Sequence, residues 1–389
     1  MGSTVMHWST IERVHMGTPA AQALAAEADR LGARRVFLLA GGHLRHETGE
    51  ISAMEAALGP RHAATWSGIA AHTPRGDVMA ATAAAREADA DLIVTIGGGS
   101  VTDAGKVVAL LLRHGVTTHD GFDAFRTYVD EAGRAVLPAF DPPTVRVICV
   151  PTTLSGGEFN ALSGVTDEAT LKKQGYQHRL MAPVAVVLDP ALTVHTPQWL
   201  WLSTGVRSVD HAVETLASMR SNPFCDGIAE SALRLLADGL PRAKADPADL
   251  EGRLKCQIGA WQSMIAVVGG VPMGASHAIG HVLGGACDVP HGYTSCVMSP
   301  YVLAWNAEAD DSRQGRISAG LDRPGVAAAE ALDAFIQGLG MPRRLSAVGV
   351  REDQLELVAT LTLEDPWGRT NPRPIATAED VMQILRRAF

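Results

Sequence analysis

Four histidines and one glycine turn are the residues whose spacing points to chemistry. His277 and His281 stand four apart in GASHAIGH (274–281), which puts both rings on one helix face. His291 follows in Pro290-His291-Gly292, and His211 lies on an earlier helical stretch. Taken singly, a histidine is more often a hydrogen-bonded structural residue. An i, i+4 pair with a third histidine ten residues on favours an active site, one that moves protons near neutral pH or holds a divalent cation.

The second feature is the run Gly97-Gly98-Gly99-Ser100, between an apolar run and a helical stretch. Glycines let backbone approach a ligand closely, and the following helix offers unpaired N–H groups and its positive dipole end to an anion. Ser100 is placed to cap that helix or to donate to a phosphate. The run is neither the GxGxxG fingerprint nor a Walker loop. A second turn, PTTLSGGE (151–158), is rich in hydroxyls and glycines. Ligands of parallel sheets bind outside the carboxyl ends of the strands, so two such turns imply one phosphate-bearing ligand.

These residues need a scaffold, and the hydrophobic pattern supplies it. Val36–Ala40, Leu92–Ile96, Val145–Val150 and Val184–Leu188 are short apolar runs closed by Gly or Pro, and they read as buried strands. Helical stretches at Ala20–Leu31, Arg75–Ala88 and Val101–His114 alternate with them. That alternation predicts an α/β domain with a parallel sheet and helices on both faces. The polar segment Gly115–Pro143 interrupts it and reads as a long excursion beside the site. Beyond about Pro190 the strand pattern stops. Trp199–Ala217, Asp226–Leu240 and Asp249–Val268 read as helices, with Pro241, Pro247, Pro324 and Pro342 as punctuation. The expected domains are therefore residues 1–190 (α/β, dinucleotide-binding) and 191–389 (all-helical, substrate-binding and catalytic).

A chain of 389 residues exceeds one simple core. Hydrophobic residues at 47% against 19% charged exclude a disordered chain. A net charge of -9 without a Lys/Arg block argues against nucleic acid as partner. The five cysteines form no CxxC pair, which argues against a disulfide framework or zinc knuckle. The N-terminus lacks the pattern of a signal peptide, and no apolar run approaches the ~20 residues of a membrane span. A cytoplasmic enzyme with no membrane partner is expected.

The ordered set GGGSVTDAGK (97–106), PTTLSGGE (151–158), DPALT (189–193), HAVE (211–214), HAIGH (277–281) and PHG (290–292) resembles the iron-containing alcohol dehydrogenase superfamily over nearly the whole chain. The resemblance implies a dehydroquinate synthase-like architecture, NAD(H) or NADP(H) as cofactor, and a homodimer. Gly97, Gly98, Gly99 and Ser100 match its pyrophosphate loop, and Thr152, Thr153 and Leu154 its second cofactor loop. Gly41, Ser155 and Lys173 complete the expected cofactor set. No carboxylate stands at Gly41-Gly42-His43, with Arg45 near, so NADPH is permitted. Metal-dependent members hold their ion with one Asp and three His. The histidines would be His211, His277 and His291, with His281 near nicotinamide and substrate. The Asp position, four residues before His211, is Arg207 here. A guanidinium repels a cation, and Asp210 leaves the helix in a different direction from His211, so no metal is favoured.

One branch lacks that Asp, the maleylacetate reductases, and the chain is similar to it in PTTLSGGE, SVDHAVE (208–214) and TNPRPI (370–375). The branch implies reduction of 2-maleylacetate to 3-oxoadipate in the degradation of aromatic compounds. The substrate is then a small carboxylate, which arginine suits. His211, His277, His281, His291 and Arg207 form the expected catalytic set. The competing readings are a metal-dependent (Fe or Zn) alcohol dehydrogenase acting on a small alcohol or aldehyde, and a dehydroquinate synthase-type lyase.

Overall fold

The computed structural model describes residues 5–130, 135–170, 172–309 and 311–389. It divides into two compact units. One comprises Ser9–Thr153 and Gly157–His195. The other comprises Thr196–Phe389, with Leu154–Gly156 and the segment ending at Trp8.

In the first unit the strands are β1 (Arg13–Met16), β2 (Val36–Ala40), β3 (His62–Ser67), β4 (Leu92–Gly97), β5 (Tyr128–Val129), β6 (Ala135–Val136), β7 (Arg146–Pro151), β8 (Leu162–Asp167), β9 (Lys172–Gln177) and β10 (Ala185–Leu188). Six of them form one parallel sheet in the order β1-β10-β7-β4-β2-β3. The helices are α1 (Ala20–Leu31), α2 (Gly42–Glu47), α3 (Glu50–Leu58), α4 (Arg75–Glu87) and α5 (Gly99–His114). Strand side chains alternate between faces. Val36, Leu38 and Ala40 pack with Leu24 of α1 and Met54 of α3. Phe37 and Leu39 pack with Val78 of α4 and Val107 of α5. Burial on both faces explains why β2, β4, β7 and β10 read as unbroken apolar runs. The edge strands β1 (RVHM) and β3 (HAATWS) are mixed in polarity and carry no such signal.

Strand order reverses between β2 and β4, and the carboxyl ends at that switch point are Gly41 and Gly97. Register carries the second turn to the same rim, since Gly97 pairs with Pro151. The described part of the Gly115–Pro143 excursion is a packing element. Phe122 is fully buried, Arg75 lies 5.0 Å over its ring, and Phe125 and Phe140 pack edge-on. The middle of the excursion lies outside the described residues.

The second unit holds α6 (Gln198–Ala217), α7 (Pro223–Ala245), α8 (Leu250–Val268), α9 (Ala275–Cys287), α10 (His291–Ala307), α11 (Gly315–Gly320), α12 (Ala328–Gly338), α13 (Leu355–Thr362) and α14 (Ala378–Ala388). Pro241 does not end α7, contrary to the sequence expectation. It costs one helix hydrogen bond, yet the helix continues to Ala245 because Leu240 and Ala243 anchor the last turns in the core. No helix among the described residues is long and apolar enough to cross a membrane.

Two buried features of α5 set the first unit's rim. Gly105 presses the helix onto β4, and a Cβ there would overlap Thr95 Cγ2. Lys106 is fully buried and donates to the carbonyls of Gly157 (3.0 Å) and Leu162, with Asp103 Oδ1 at 3.5 Å. This ties the helix behind the glycine turn to the chain leaving the second turn. Glu158 lies in the same cluster, and burial raises its carboxyl from 4.5 to about 7 against the pull of Lys106.

Gly105→Ala should destabilise the fold by about 1–3 kcal/mol, read as a lowered Tm. Glu158 gives a pH signature. From pH 4.5 to about 7 the unfolded chain releases this proton while the folded chain keeps it, so stability falls as pH rises. The full loss is about 3 kcal/mol. Glu158→Gln removes it, so the variant's Tm should gain on the parent's between pH 5 and pH 8. A pH-independent difference would show that Glu158 ionises normally.

Candidate active site

The cofactor residues of the first unit lie at the sheet's carboxyl rim. Gly98 stands at the N-cap of α5, which has no side-chain cap, so the first-turn amides of Gly99 and Ser100 are left for an anion. Gly97 adopts φ +157°, and a Cβ on it would lie 3.0 Å from Val101 Cγ2. A Cβ on Gly98 would lie 3.2 Å from Thr153 Cγ2. The Gly41 amide donates to Ile96 O (2.8 Å) and that of Thr152 to Gly97 O (3.0 Å), which locks the turns together. Thr152 and Thr153 are buried. This side-chain-free cradle of amides fits a dinucleotide's phosphates. Lys173 is exposed on β9 and lies across Gly164.

Leu154, expected in the cofactor set, has other work. Its side chain is fully buried in the helical unit's core. Its amide accepts no ligand either, since it donates to Thr204 Oγ1 (3.1 Å), and its carbonyl accepts from Ser208 Oγ (2.5 Å). Ser155 is partly buried beside it.

In the helical unit, α6 presents Arg207, Asp210, His211 and Glu214 at the 3–4 residue spacing of one face. Glu214 is the hub. It accepts from the amides of Gly274 (2.8 Å) and Ser276 (2.9 Å) and faces His277 Nδ1 at 2.8 Å. Burial raises its carboxyl to about 7, against these donors. Asn371 Oδ1 takes the Ala275 amide (3.1 Å), so two side chains cap the start of α9. A Cβ on Gly274 would lie 2.8 Å from Asn371 Oδ1, so this corner needs glycine.

His211 and His277 are buried and stack with centroids 4.8 Å apart at 32°. His211 Nδ1 and His277 Nε2 have no hydrogen-bond partner among the described residues. Burial first, then the neighbouring ring and Arg207, hold His211 well below the ordinary histidine value. Burial and Arg207 do the same to His277. Both rings are therefore neutral at pH 7. Arg207 turns inward. Its Nη1 donates to Ser295 Oγ (3.2 Å) and would lie 3.4 Å from a Cβ on Gly280, so the glycine leaves room for the guanidinium. Burial pulls its pKa down, with Asp210 and Glu214 opposing. Arginine nevertheless stays charged. Among the described residues no carboxylate pairs with it directly. Ser295 Oγ instead donates onward to Asp210 Oδ2 (2.7 Å), which makes a serine-bridged charge pair.

His281 lies one turn beyond His277. Its Nδ1 faces Asp365 Oδ2 at 2.8 Å, and its ring packs against Trp367 (centroids 5.0 Å, 35°). Trp367 also meets His277 edge-on at 5.7 Å. His291 is exposed at the start of α10, 6.3 Å from the His281 ring. The predicted residues thus form a string, from Arg207 and His211 through His277 to His281 and His291, with the unpredicted Trp367 against His277 and His281.

The conditional ligand set His211, His277 and His291 is not gathered. Among the described residues the one group of three ligand atoms within 4.8 Å of one another is Asp210, Glu214 and His277. That group is partly engaged: Glu214 holds two backbone amides and Asp210 Oδ2 holds the Ser276 and Ser295 hydroxyls (both 2.7 Å), while Asp210 Oδ1 and His277 Nε2 have no hydrogen-bond partner among the described residues. Arg207 adds a positive charge beside both buried rings. Asp210 Oδ2 lies 3.4 Å from His277 Nδ1.

Sequence reasoning missed Glu214, Ser295, Asp365 and Trp367 as site residues. Glu214 was visible, because position 214 continues the 207-210-211 face. Asp365 and Trp367 carried no signal, since they reach the histidines from more than 80 positions away. TNPRPI was legible as a motif, but its work is structural. Thr370 Oγ1 bonds Met273 O (2.6 Å), Asn371 caps α9, and the Arg373 guanidinium lies 3.3 Å over the Trp305 ring.

Comparison with known proteins agrees with this architecture. Residues 12–190 match the iron-containing alcohol dehydrogenase family model, and residues 201–389 match the Fe-containing alcohol dehydrogenase family, C-terminal model. The chain is 34% identical to a dehydrogenase of Alternaria alternata, covering 92% of this chain and 99% of that one. It is 31% identical to a maleylacetate reductase of Sphingobium indicum, with 97% and 95% covered. The crystal structure of maleylacetate reductase from Agrobacterium tumefaciens superposes with a TM-score of 0.83 at 29% identity, over 100% of this chain and 99% of that one. The chain belongs to the iron-containing alcohol dehydrogenase superfamily, on its maleylacetate reductase-like branch, and is an NAD(P)-dependent oxidoreductase.

Proposed function

We propose that the chain is an NAD(P)H-dependent reductase of a small, unsaturated keto-dicarboxylate of the maleylacetate type, which it converts to the saturated 3-oxo acid. In this reading residues 1–190 bind the dinucleotide and residues 191–389 carry the substrate chemistry. The enzyme acts as a cytoplasmic homodimer in the breakdown of aromatic compounds. The observation that carries the reading is Arg207, an inward-turned guanidinium with no direct carboxylate partner among the described residues, set against two neutral buried imidazoles. A buried cation without a counter-ion is costly, and an anionic ligand relieves that cost. Guanidinium also matches carboxylate geometry.

Gly97 to Ser100 and Thr152-Thr153 would hold the nicotinamide dinucleotide, which when bound supplies the hydride. The protein's own residues manage the charge that this addition creates. Negative charge develops on the ketone oxygen as the alkene is reduced, and Arg207 stabilises it from a site screened from water. His211, neutral and with Nδ1 unpartnered among the described residues, offers a ring N–H to the same anion without competing for its charge. His281, open to solvent on one edge, supplies the proton.

Three measurements test this. NAD(P)H oxidation assayed against maleylacetate and a panel of small aldehydes should show turnover of maleylacetate, with no change on adding chelator. Metal analysis of the purified chain should find well under one ion per chain, whereas stoichiometric iron or zinc would favour a metal-dependent alcohol dehydrogenase. Arg207→Ala should lower kcat/KM by about 10²- to 10³-fold, and Arg207→Lys should recover part of it. An Ala variant within about twofold of the parent would sink the role given to Arg207.

A further inference from the structure

We propose that Asp365 is a positioning residue for proton delivery, fixing the His281 ring so that Nε2 carries the proton the reduced substrate receives. The inference rests on the reductase reading above.

Asp365 lies in the turn after α13, far from α9 in sequence. Its Oδ1 accepts the Trp367 amide (2.9 Å), and its Oδ2 meets His281 Nδ1 (2.8 Å). A carboxylate only accepts, so Nδ1 must carry a hydrogen, and the nitrogen left for chemistry is Nε2. The ring is held in that pose from its face as well, by Trp367 at 5.0 Å. Trp367 is itself fixed. Gly368 beside it seats against α9, where its Cβ would lie 3.9 Å from Ala278 Cβ, and Thr370 bonds Met273 O. The titratable groups facing His281 are Asp365, His277 on its own helix and His291 from the start of α10. Of these, Asp365 is the carboxylate, and it meets the ring at Nδ1.

The step balances as follows in atoms and electrons. The alkene takes up a hydride from the reduced nicotinamide, and the π pair moves onto the neighbouring carbon and its ketone. The Nε2–H bond of His281 then breaks, its pair staying on the ring, and a C–H bond forms at that carbon. The substrate is reduced by two electrons, the nicotinamide is oxidised by two, and His281 is left neutral with Nδ1–H still on Asp365. It recovers its proton from water, to which 37% of its side chain is open.

The test is a mutant cycle in the full chain, assayed on whichever of maleylacetate or an aldehyde it reduces, so a wrong substrate assignment leaves this result readable. Asp365→Asn should lower kcat by about 10- to 100-fold and raise the solvent deuterium isotope effect on kcat. KM for the nucleotide should stay within about twofold. Asp365→Glu should recover part of the rate. In a His281→Asn background, Asp365→Asn should cost nothing further. Should the Asn variant fail to fold, Asp365→Glu completes the cycle. A kcat within about twofold of the parent, losses that multiply in the double variant, or an unchanged isotope effect would each overturn the proposal.

Discussion

The histidine cluster of the helical unit hangs on one buried carboxylate. Glu214 on α6 gathers the Gly274 and Ser276 amides and faces His277 Nδ1, all within 2.9 Å. The start of a helix has N–H groups with no partner and a positive dipole end, and a carboxylate answers both. Asn371 takes the amide that Glu214 does not reach. Once α9 is indexed to α6 in this way, helix geometry does the rest. His277 meets His211 across the two helices, and His281 follows one turn later on the same face. Without the carboxylate, three donors would sit unmet in the interior, a cost larger than that of most surface substitutions.

The arrangement of charge follows from that indexing. Arg207 lies two turns before Glu214 on α6 and reaches Ser295 of α10, whose hydroxyl passes the contact on to Asp210. The cation and its nearest anion are thus kept one hydroxyl apart. A direct ion pair would have spent the guanidinium's donors on the protein. The bridged pair stabilises the charge in part and leaves the remaining donors for a ligand.

Legibility in the sequence tracked how local each determinant is. The four central strands were visible because burial on both faces demands an unbroken apolar run. The edge strands β1 and β3 were not, because half-exposed strands mix polarity. The glycine turn was legible as an anion site, since strand, glycines and helix are contiguous. Leu154 was misread because it sits inside a cofactor-like motif while its side chain and both backbone polar groups serve the helical core. The histidines announced themselves through i, i+4 spacing. Their partners Asp365 and Trp367 did not, since no local pattern records a contact made across 84 residues. TNPRPI was recognisable as a string, yet only the fold shows that Asn371 acts by capping α9.

An arginine at position 207 sets a positive charge beside two buried imidazoles. A charge stabiliser performs best away from water, where its field is least screened. A proton donor must touch water to reload. Along α9 the protein supplies both conditions within one helical turn, because His277 is 1% exposed and His281 is 37% exposed. The buried ring is held neutral by desolvation and by Arg207, which makes it a poor proton source at pH 7. The open ring is held at Nδ1 by the Asp365 carboxylate. Burial and different neighbours therefore give two chemically identical side chains unlike settings one turn apart on the same helix.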